Sequence, residues 1–239
     1  MCGVLIIHSK KNQKLNKKKC FLAAKRLFNR GPDLHKSNFF RKSTLFISNT
    51  VLSITGSHDK NKNLEKSLSN RYVISFNGEI YNYKELNNDL KIFNKKNYSD
   101  TDILINLYDR INHNLIPTKL NGMYSYVIFD KKKNKLKIIN DPQGEKNLYY
   151  YNDSNFLIIS STINAILNFT DSYSINKEPI FNYFSTRHFM PFEQTCFKKI
   201  KLFPISSTTE FCLDKNYLST KINEDPISWI SEKKYNEFK

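Results

Sequence analysis

The residue with the plainest capacity for chemistry is a cysteine at the second position, in Met1-Cys2-Gly3. Chain ends usually fray, so a side chain there seldom fills a dense core. If the initiator methionine is removed, Cys2 carries both a thiol, with a reference pKa near ~8.5, and a free α-amine, with a reference pKa near ~7.7–8.0. One residue then supplies nucleophile and general base, as in self-activating N-terminal nucleophiles. Taken alone, a cysteine at this position is more often incidental than catalytic.

Two further polar groups adjoin predicted elements. Asn77-Gly78-Glu79 directly follows a β-rich run over Arg71–Phe76, and an Asn-Gly dipeptide after a strand is by itself an ordinary turn. Asp100 follows Ser99 at the start of a predicted helix that continues through Ile103–Ile111, where the same residues suit an N-cap. Each group therefore has a structural interpretation beside the chemical one.

The elements that must position these residues are short strands with helices between them. Val4–Ile7 predicts a buried strand, Leu15–Phe28 an amphipathic helix that ends before Gly31-Pro32, and Leu45–Ile54 a second strand. Met123–Asp130 predicts a further strand with a hairpin partner. Hairpin-linked strands with helices clustered in the middle indicate an α+β fold, in which helices pack on the outer faces of antiparallel sheets.

Composition limits the possible functions. The net charge is +16, but lysine far outnumbers arginine, whereas nucleic-acid surfaces more often use arginine with interleaved aromatic side chains. Nucleic-acid binding is therefore kept as a minor alternative only. No uncharged apolar run approaches the ~18 residues of a membrane span, and the N-terminus lacks a signal-peptide layout, so a cytoplasmic protein is expected. The cysteines have no metal-ligand spacing and are expected to be free thiols: Cys2, Cys20, Cys196 and Cys212.

The polar groups belong to four segments that follow one another in a fixed order: Met1-Cys2-Gly3, Arg30-Gly31-Pro32-Asp33, Phe76 through Tyr83, and Ser99-Asp100-Thr101-Asp102. Together they resemble the class II glutamine amidotransferase domain, an N-terminal nucleophile hydrolase, and in particular the N-terminal glutaminase half of asparagine synthetases. The Asn-Gly-Glu-Ile-Tyr-Asn run at 77–82 is the most specific of these signals. The resemblance implies a four-layer αββα sandwich, with two antiparallel sheets between helices.

The resemblance also implies a role for each residue in the hydrolysis of L-glutamine to glutamate and ammonia. Cys2 attacks the side-chain amide, and the Asn77 side chain and Gly78 backbone N–H stabilise the oxyanion. Glu79 and Asp100 hold the α-ammonium group through charge-assisted contacts. No cofactor is expected in this domain.

Three residues of the second segment, Arg30, Gly31 and Asp33, are expected to form a supporting loop near the site. Val51 stands where the family usually has an arginine that pairs with the α-carboxylate of glutamine. Either a neighbour such as Arg71 or a lysine takes over this contact, or glutamine binds weakly.

The resemblance covers residues 2–213, which we predict to be the amidotransferase domain, and 214–239 are predicted to be a polar tail or linker. The chain ends soon after Trp229 without the Ser-Gly-Gly-x-Asp-Ser loop of the ATP-dependent synthetase domain. We therefore expect either a glutaminase that supplies ammonia to a separate synthetase subunit, or a weak or inactive module that binds such a partner. The sequence indicates no oligomeric state.

Overall fold

The computed structural model describes residues 1–52, 64–94, 98–170, 173–187 and 193–223. Within these ranges the chain forms eleven strands and six α-helices. The strands are β1 (Gly3–Ser9), β2 (Leu34–Phe40), β3 (Leu45–Val51), β4 (Tyr72–Ile80), β5 (Gly122–Asp130), β6 (Lys135–Asn140), β7 (Tyr149–Asn152), β8 (Phe156–Ser160), β9 (Ile200–Leu202), β10 (Ser207–Cys212) and β11 (Tyr217–Ile222). The helices are α1 (Lys17–Lys25), α2 (Tyr83–Leu90), α3 (Asp100–Arg110), α4 (Ile116–Lys119), α5 (Ile163–Thr170) and α6 (Lys177–Thr186).

The strands form two sheets whose neighbouring strands all run antiparallel. The first sheet has the order β2-β3-β1-β8-β7-β9, and the second has the order β11-β10-β6-β5-β4. Four of the nine pairings are hairpins of consecutive strands, namely β2–β3, β5–β6, β7–β8 and β10–β11, and the other five join strands that are farther apart in the sequence.

Three apolar clusters separate four layers. Alternate residues of β1, β3, β4, β5 and β6 meet between the sheets, among them Val4, Ile47 and Val127. The opposite face of the second sheet packs on α2 and α3, and the opposite face of the first sheet packs on α1 and α5. Because strand side chains alternate between faces, each sheet can bury both sides, and the predicted αββα sandwich is confirmed.

The predicted elements are largely present, with informative differences in their bounds. The strand predicted to end at Phe76 continues to Ile80, so Asn77-Gly78 lies inside β4 and is not a turn. The turn interpretation fails because β5 pairs with this whole segment, from Tyr72↔Asp130 to Ile80↔Gly122. Of the predicted strand over Leu45–Ile54, β3 accounts for Leu45–Val51, and residues 53–54 lie outside the described ranges.

Two strands were not predicted. β2 has many polar residues, so its sequence does not alternate clearly, and β11 pairs with β10 within the stretch after residue 213 that was predicted as a tail. Among the described helices, none is long and apolar enough to cross a membrane.

Candidate active site

A cavity opens where β1 begins, β3 ends and the second half of β4 passes the start of α3. Its lining includes six of the residues singled out in the sequence: Cys2, Val51, Asn77, Gly78, Glu79 and Asp100. The two sheets therefore meet here, since β1 and β3 belong to the first sheet and β4 to the second. The fold brings together side chains that are as many as 98 positions apart in the sequence.

The Cys2 thiol is partly buried at the head of β1. Burial raises its pKa, while a hydrogen bond with the Leu52 backbone and the nearby N-terminal ammonium group offset part of that effect. A raised pKa leaves the thiol protonated at neutral pH, and the thiolate is the nucleophilic form. The site therefore needs a base close to this sulfur.

Asn77 is fully buried, yet neither its Nδ2 nor its Oδ1 has a hydrogen-bond partner among the described residues. Most buried polar side chains in folded proteins are hydrogen-bonded, so each exception calls for an explanation. Ser125, opposite Asn77 in β5, also has no partner for its hydroxyl. An amide in this state, on the wall of a cavity shared with a cysteine, can donate to a ligand at no cost to the protein's own bonding.

Gly78 follows directly, and its lack of a side chain is required by packing. A Cβ atom here would collide with the carbonyl oxygen of Met123 and lie 2.6 Å from the Tyr124 Cα. No larger residue fits between β4 and β5 at this point, so the cavity wall is bare backbone beside the Asn77 amide.

Asp100 is the first residue of α3, whose start is fixed by a capping box between Ser99 and Asp102. The Asp100 carboxylate accepts hydrogen bonds from the backbone N–H of Ile80 (3.1 Å) and of Thr101 (2.7 Å), which hold it against the end of β4. Burial raises its pKa, these hydrogen bonds oppose the rise, and Glu79 adds to it by repulsion. Two neighbouring carboxylates facing one cavity favour a cationic ligand group.

The predicted supporting loop lies beside the site. Arg30 does not line the cavity; its Nε donates to the Cys2 carbonyl (3.0 Å) and its Nη1 to the Ser161 carbonyl (3.4 Å). Gly31 is pressed against β3, where a Cβ would lie 2.6 Å from the backbone of Thr50 and Val51. Asp33 is exposed, and its backbone N–H bonds to the Val51 carbonyl at 3.2 Å.

Asn49 was missed by the sequence analysis, although it lines the same cavity. From β3, its Nδ2 donates to the carbonyls of Gly3 (2.8 Å) and Phe76 (3.1 Å), and its Oδ1 accepts from the Phe76 N–H (2.9 Å). One side chain thus ties the strand that carries Cys2 to the strand that carries Asn77. In the sequence, the only signal was an asparagine among polar neighbours in a predicted strand. Such a residue does not by itself indicate a functional site.

Val51 lines the cavity and offers no charge. The suggested substitute Arg71 is at the opposite end of β4, where Nε and Nη2 bind the Asp130 carboxylate at 2.9 and 2.6 Å, and it does not line the cavity. Across the described ranges, no cluster of three or more His, Cys, Asp or Glu side chains could hold a metal ion.

A family model described as a glutamine amidotransferase domain matches residues 1–221. A putative asparagine synthetase (glutamine-hydrolyzing) 2 of Methanocaldococcus jannaschii is 33% identical over 146 residues, which is 60% of this chain and 28% of that protein. A probable asparagine synthetase (glutamine-hydrolyzing) of Acanthamoeba polyphaga mimivirus is 28% identical over 218 residues, which is 88% of this chain and 39% of that protein. The chain therefore spans less than half the length of these relatives.

Among solved structures, a glutamine phosphoribosylpyrophosphate amidotransferase from B. subtilis has a similar fold, with a TM-score of 0.64 and 15% identity. The match covers 93% of this chain and 49% of that one. An allosteric regulatory enzyme of purine biosynthesis matches with a TM-score of 0.67 at 13% identity, again over 93% of this chain and 49% of the other. At these identities the similarity concerns the fold.

Proposed function

This chain belongs to the glutamine amidotransferase domain family, and on that premise we propose that it hydrolyses L-glutamine to glutamate and ammonia through a thioester on Cys2. The observation that carries the proposal is the buried Asn77 amide, which has no partner among the described residues and shares its cavity with the Cys2 thiol. Homologues named as glutamine-hydrolysing asparagine synthetases support the same activity.

In the first half of the reaction, the Cys2 sulfur attacks the side-chain carbonyl carbon of glutamine. The free α-amine that Met1 removal leaves on Cys2 takes the thiol proton. The carbonyl oxygen becomes an oxyanion that accepts hydrogen bonds from Asn77 Nδ2 and the Gly78 N–H. The α-ammonium group then returns the proton to the amide nitrogen as the carbon–nitrogen bond breaks, and ammonia leaves.

In the second half, a water molecule attacks the thioester carbon while the α-amine of Cys2 removes a proton from that water. The same two donors stabilise the second oxyanion. The carbon–sulfur bond breaks, the sulfur recovers its proton, and glutamate departs. No redox change occurs at any step.

The other residues of the site orient the substrate and the nucleophile. Asp100 and Glu79 face the α-ammonium group of glutamine, and the hydrogen bond from the Ile80 N–H keeps Asp100 directed to the cavity. Arg30 holds the Cys2 carbonyl, so the first residue of the processed chain does not fray. Gly31 and Asp33 serve this role through backbone contacts with β3.

We further propose that the ammonia passes to a separate ATP-dependent synthetase subunit. The support is that the relatives are named asparagine synthetases (glutamine-hydrolyzing), a name that couples glutamine hydrolysis to a synthetase. Co-purification of the chain with such a synthetase, and a larger species in gel filtration of the mixture, are the expected results. A lone monomer that forms no complex with the synthetase contradicts this part of the proposal.

Val51 favours the alternative that the chain is a weak or inactive amidotransferase-fold module that binds a partner synthetase. Loss of a charge-assisted contact to the substrate carboxylate costs about 1.5–3 kcal/mol unless another cation replaces it. The two functions differ in whether the fold turns over glutamine at all.

A glutaminase assay separates them. We expect ammonia release from the wild type, background rates from Cys2→Ala, and wild-type rates from the matched Cys196→Ala variant, whose thiol is also partly buried and free. Equal background rates for the wild type and Cys2→Ala would leave only the binding module.

A further inference from the structure

Glutamine carries two charged groups on its α-carbon, and the proposed function assigns partners in the cavity to only one of them. The α-ammonium group of glutamine faces Asp100 and Glu79, whereas the α-carboxylate requires a donor or a cation. The side chain of Val51 supplies neither. Among the described residues that line the cavity, the side chains that carry positive charge are Lys36 and Lys146.

The register of β2 and β3 places Lys36 next to Val51. Lys36 pairs with Asn49, and Leu34 pairs with Val51, so Lys36 and Val51 occupy diagonal positions on the same face of the sheet. Diagonal neighbours lie roughly 7–8 Å apart, within reach of a long side chain. A lysine on β2 can therefore bring its charge to the region that a longer cationic side chain at position 51 would reach.

Lys36 is also held in place, unlike an ordinary surface lysine. Its side chain is 5% exposed, and its Nζ donates to Glu65 Oε1 at 2.7 Å, while the Glu65 side chain is 20% exposed. An ammonium group has three donors, and Glu65 takes one. Glu65 thereby compensates part of the cost of burying the charge and, within the part of the chain that the structure describes, leaves donors for a ligand.

Other cations near the site are less suited. Arg30 is directed to the Cys2 and Ser161 carbonyls. Lys146 is only partly buried, on the loop whose backbone N–H groups bind Asp141. Arg71 is outside the cavity and paired with Asp130.

We propose that Lys36, oriented by Glu65, binds the α-carboxylate of glutamine in place of a cation at position 51. This inference rests on the proposed function, since it takes glutamine as the ligand. It makes Lys36 on β2 the residue by which the site prefers glutamine to an amide that lacks the α-carboxylate.

The test compares two ligands that differ only in the carboxylate, L-glutamine and 4-aminobutanamide, by isothermal titration calorimetry. Titrations use the Cys2→Ala chain, so that binding is measured without turnover. We expect the chain to bind glutamine about ten- to a hundredfold more tightly, the factor that one charge-assisted hydrogen bond supplies. Adding Lys36→Met should abolish this preference and leave the affinity for 4-aminobutanamide unchanged.

Lys36→Met leaves the Glu65 charge without its partner and can unfold the chain. The double variant Lys36→Met/Glu65→Leu removes both charges, which is far less destabilising than removing one, and it should show the same loss of preference. Thermal unfolding of each variant verifies the fold.

The inference is overturned if the preference for glutamine survives in the folded variant, if both ligands weaken equally, or if Lys146→Met removes the preference instead. It is also overturned if glutamine does not bind the Cys2→Ala chain at all. Tight, Lys36-dependent glutamine binding by a chain without glutaminase activity would refute the proposed catalysis and leave the carboxylate contact standing.

Discussion

At the residue scale, the proposed chemistry depends on two atoms in opposite situations. The Cys2 sulfur is kept protonated by burial and needs a base, whereas Asn77 Nδ2 is a buried donor without a partner among the described residues. The sulfur requires the free α-amine of a processed chain as its base. The Asn77 donor requires an acceptor, and the oxyanion that forms during the reaction is one. Attack of Cys2 on an amide in the shared cavity meets both requirements.

Asn77→Ala tests the second atom. Removing one oxyanion donor typically lowers kcat by about 10²–10³, and because the donor acts on the transition state, KM for glutamine should change little. Steady-state glutaminase kinetics measure both constants. Asn114→Ala, at an exposed asparagine, is the matched control and should retain wild-type kinetics. A loss confined to KM would contradict the oxyanion role.

Asp100 makes glutamine binding dependent on pH. Burial, with repulsion from Glu79, raises the Asp100 pKa above its ordinary 3.8, although hydrogen bonds from Ile80 and Thr101 oppose the rise. The carboxylate therefore protonates earlier than usual as pH falls, and a neutral Asp100 cannot pair with the α-ammonium group. We expect KM to rise on acidification in the wild type, and to be high with a weaker pH dependence in Asp100→Asn. Parallel KM profiles for the two proteins would exclude this contact.

At the element scale, the site is a junction of β1, β3 and β4 at which the two sheets meet. Asn49 on β3 binds the backbones of Gly3 and Phe76, the residues that adjoin Cys2 and Asn77. The nucleophile and the oxyanion donor thus keep their spacing through one side chain from a third strand. A positioning residue of this kind acts on the rate through the catalytic groups that it holds.

Asn49→Ala should lower both stability and rate. It leaves the buried N–H and C=O groups of Phe76 and the carbonyl of Gly3 without this partner, so we expect unfolding free energy to fall by about 2–4 kcal/mol. Urea unfolding gives this value, and kcat measured on folded protein should fall more than KM rises. Asn38→Ala on β2 is the control, because the Asn38 side chain accepts a hydrogen bond from the backbone N–H of the adjacent Phe39. Unchanged kcat in a destabilised Asn49→Ala variant would limit Asn49 to a structural role.

The sequence was enough to predict that Cys2, Asn77 and Asp100 belong to one site. Each lies in a short segment whose residues resemble a family motif, and the segments occur in the order of that family. Their local structure was harder. Asn77-Gly78 has the composition of a turn, and only pairing with β5 keeps it extended. The hydrogen bonds of Asn49 with Phe76 could not be predicted, since they join residues of different strands that are 27 positions apart in the sequence.

At the scale of the whole molecule, the sheets are joined through groups far from the cavity as well. His8 on β1 is fully buried, with Nδ1 3.3 Å from the Thr44 carbonyl and Nε2 3.3 Å from Asn216 Oδ1, in the turn between β10 and β11. Its ring also meets Phe211 of the second sheet edge to face, at 5.7 Å. This histidine therefore packs between both sheets.

Burial lowers the pKa of His8 from 6.5 to about 4. Between these values the unfolded chain binds a proton that the folded chain does not, so stability should rise with pH from about 4 to 6.5, by at most about 3 kcal/mol from this group. Urea unfolding across this range measures the slope. His8→Leu should reduce the slope, and an identical slope in wild type and variant would contradict the assignment.

The central claim is that a processed Cys2 is the nucleophile, and labelling with an electrophilic glutamine analogue tests it most directly. The chain is made with an N-terminal extension that a protease removes immediately before Cys2, and intact mass is recorded before and after cleavage. We predict one adduct, on Cys2, only after cleavage, and its formation should be suppressed by excess L-glutamine. Labelling that is equal before and after cleavage, or that falls on Cys196 or Cys212 while Cys2 stays unmodified, would contradict the account.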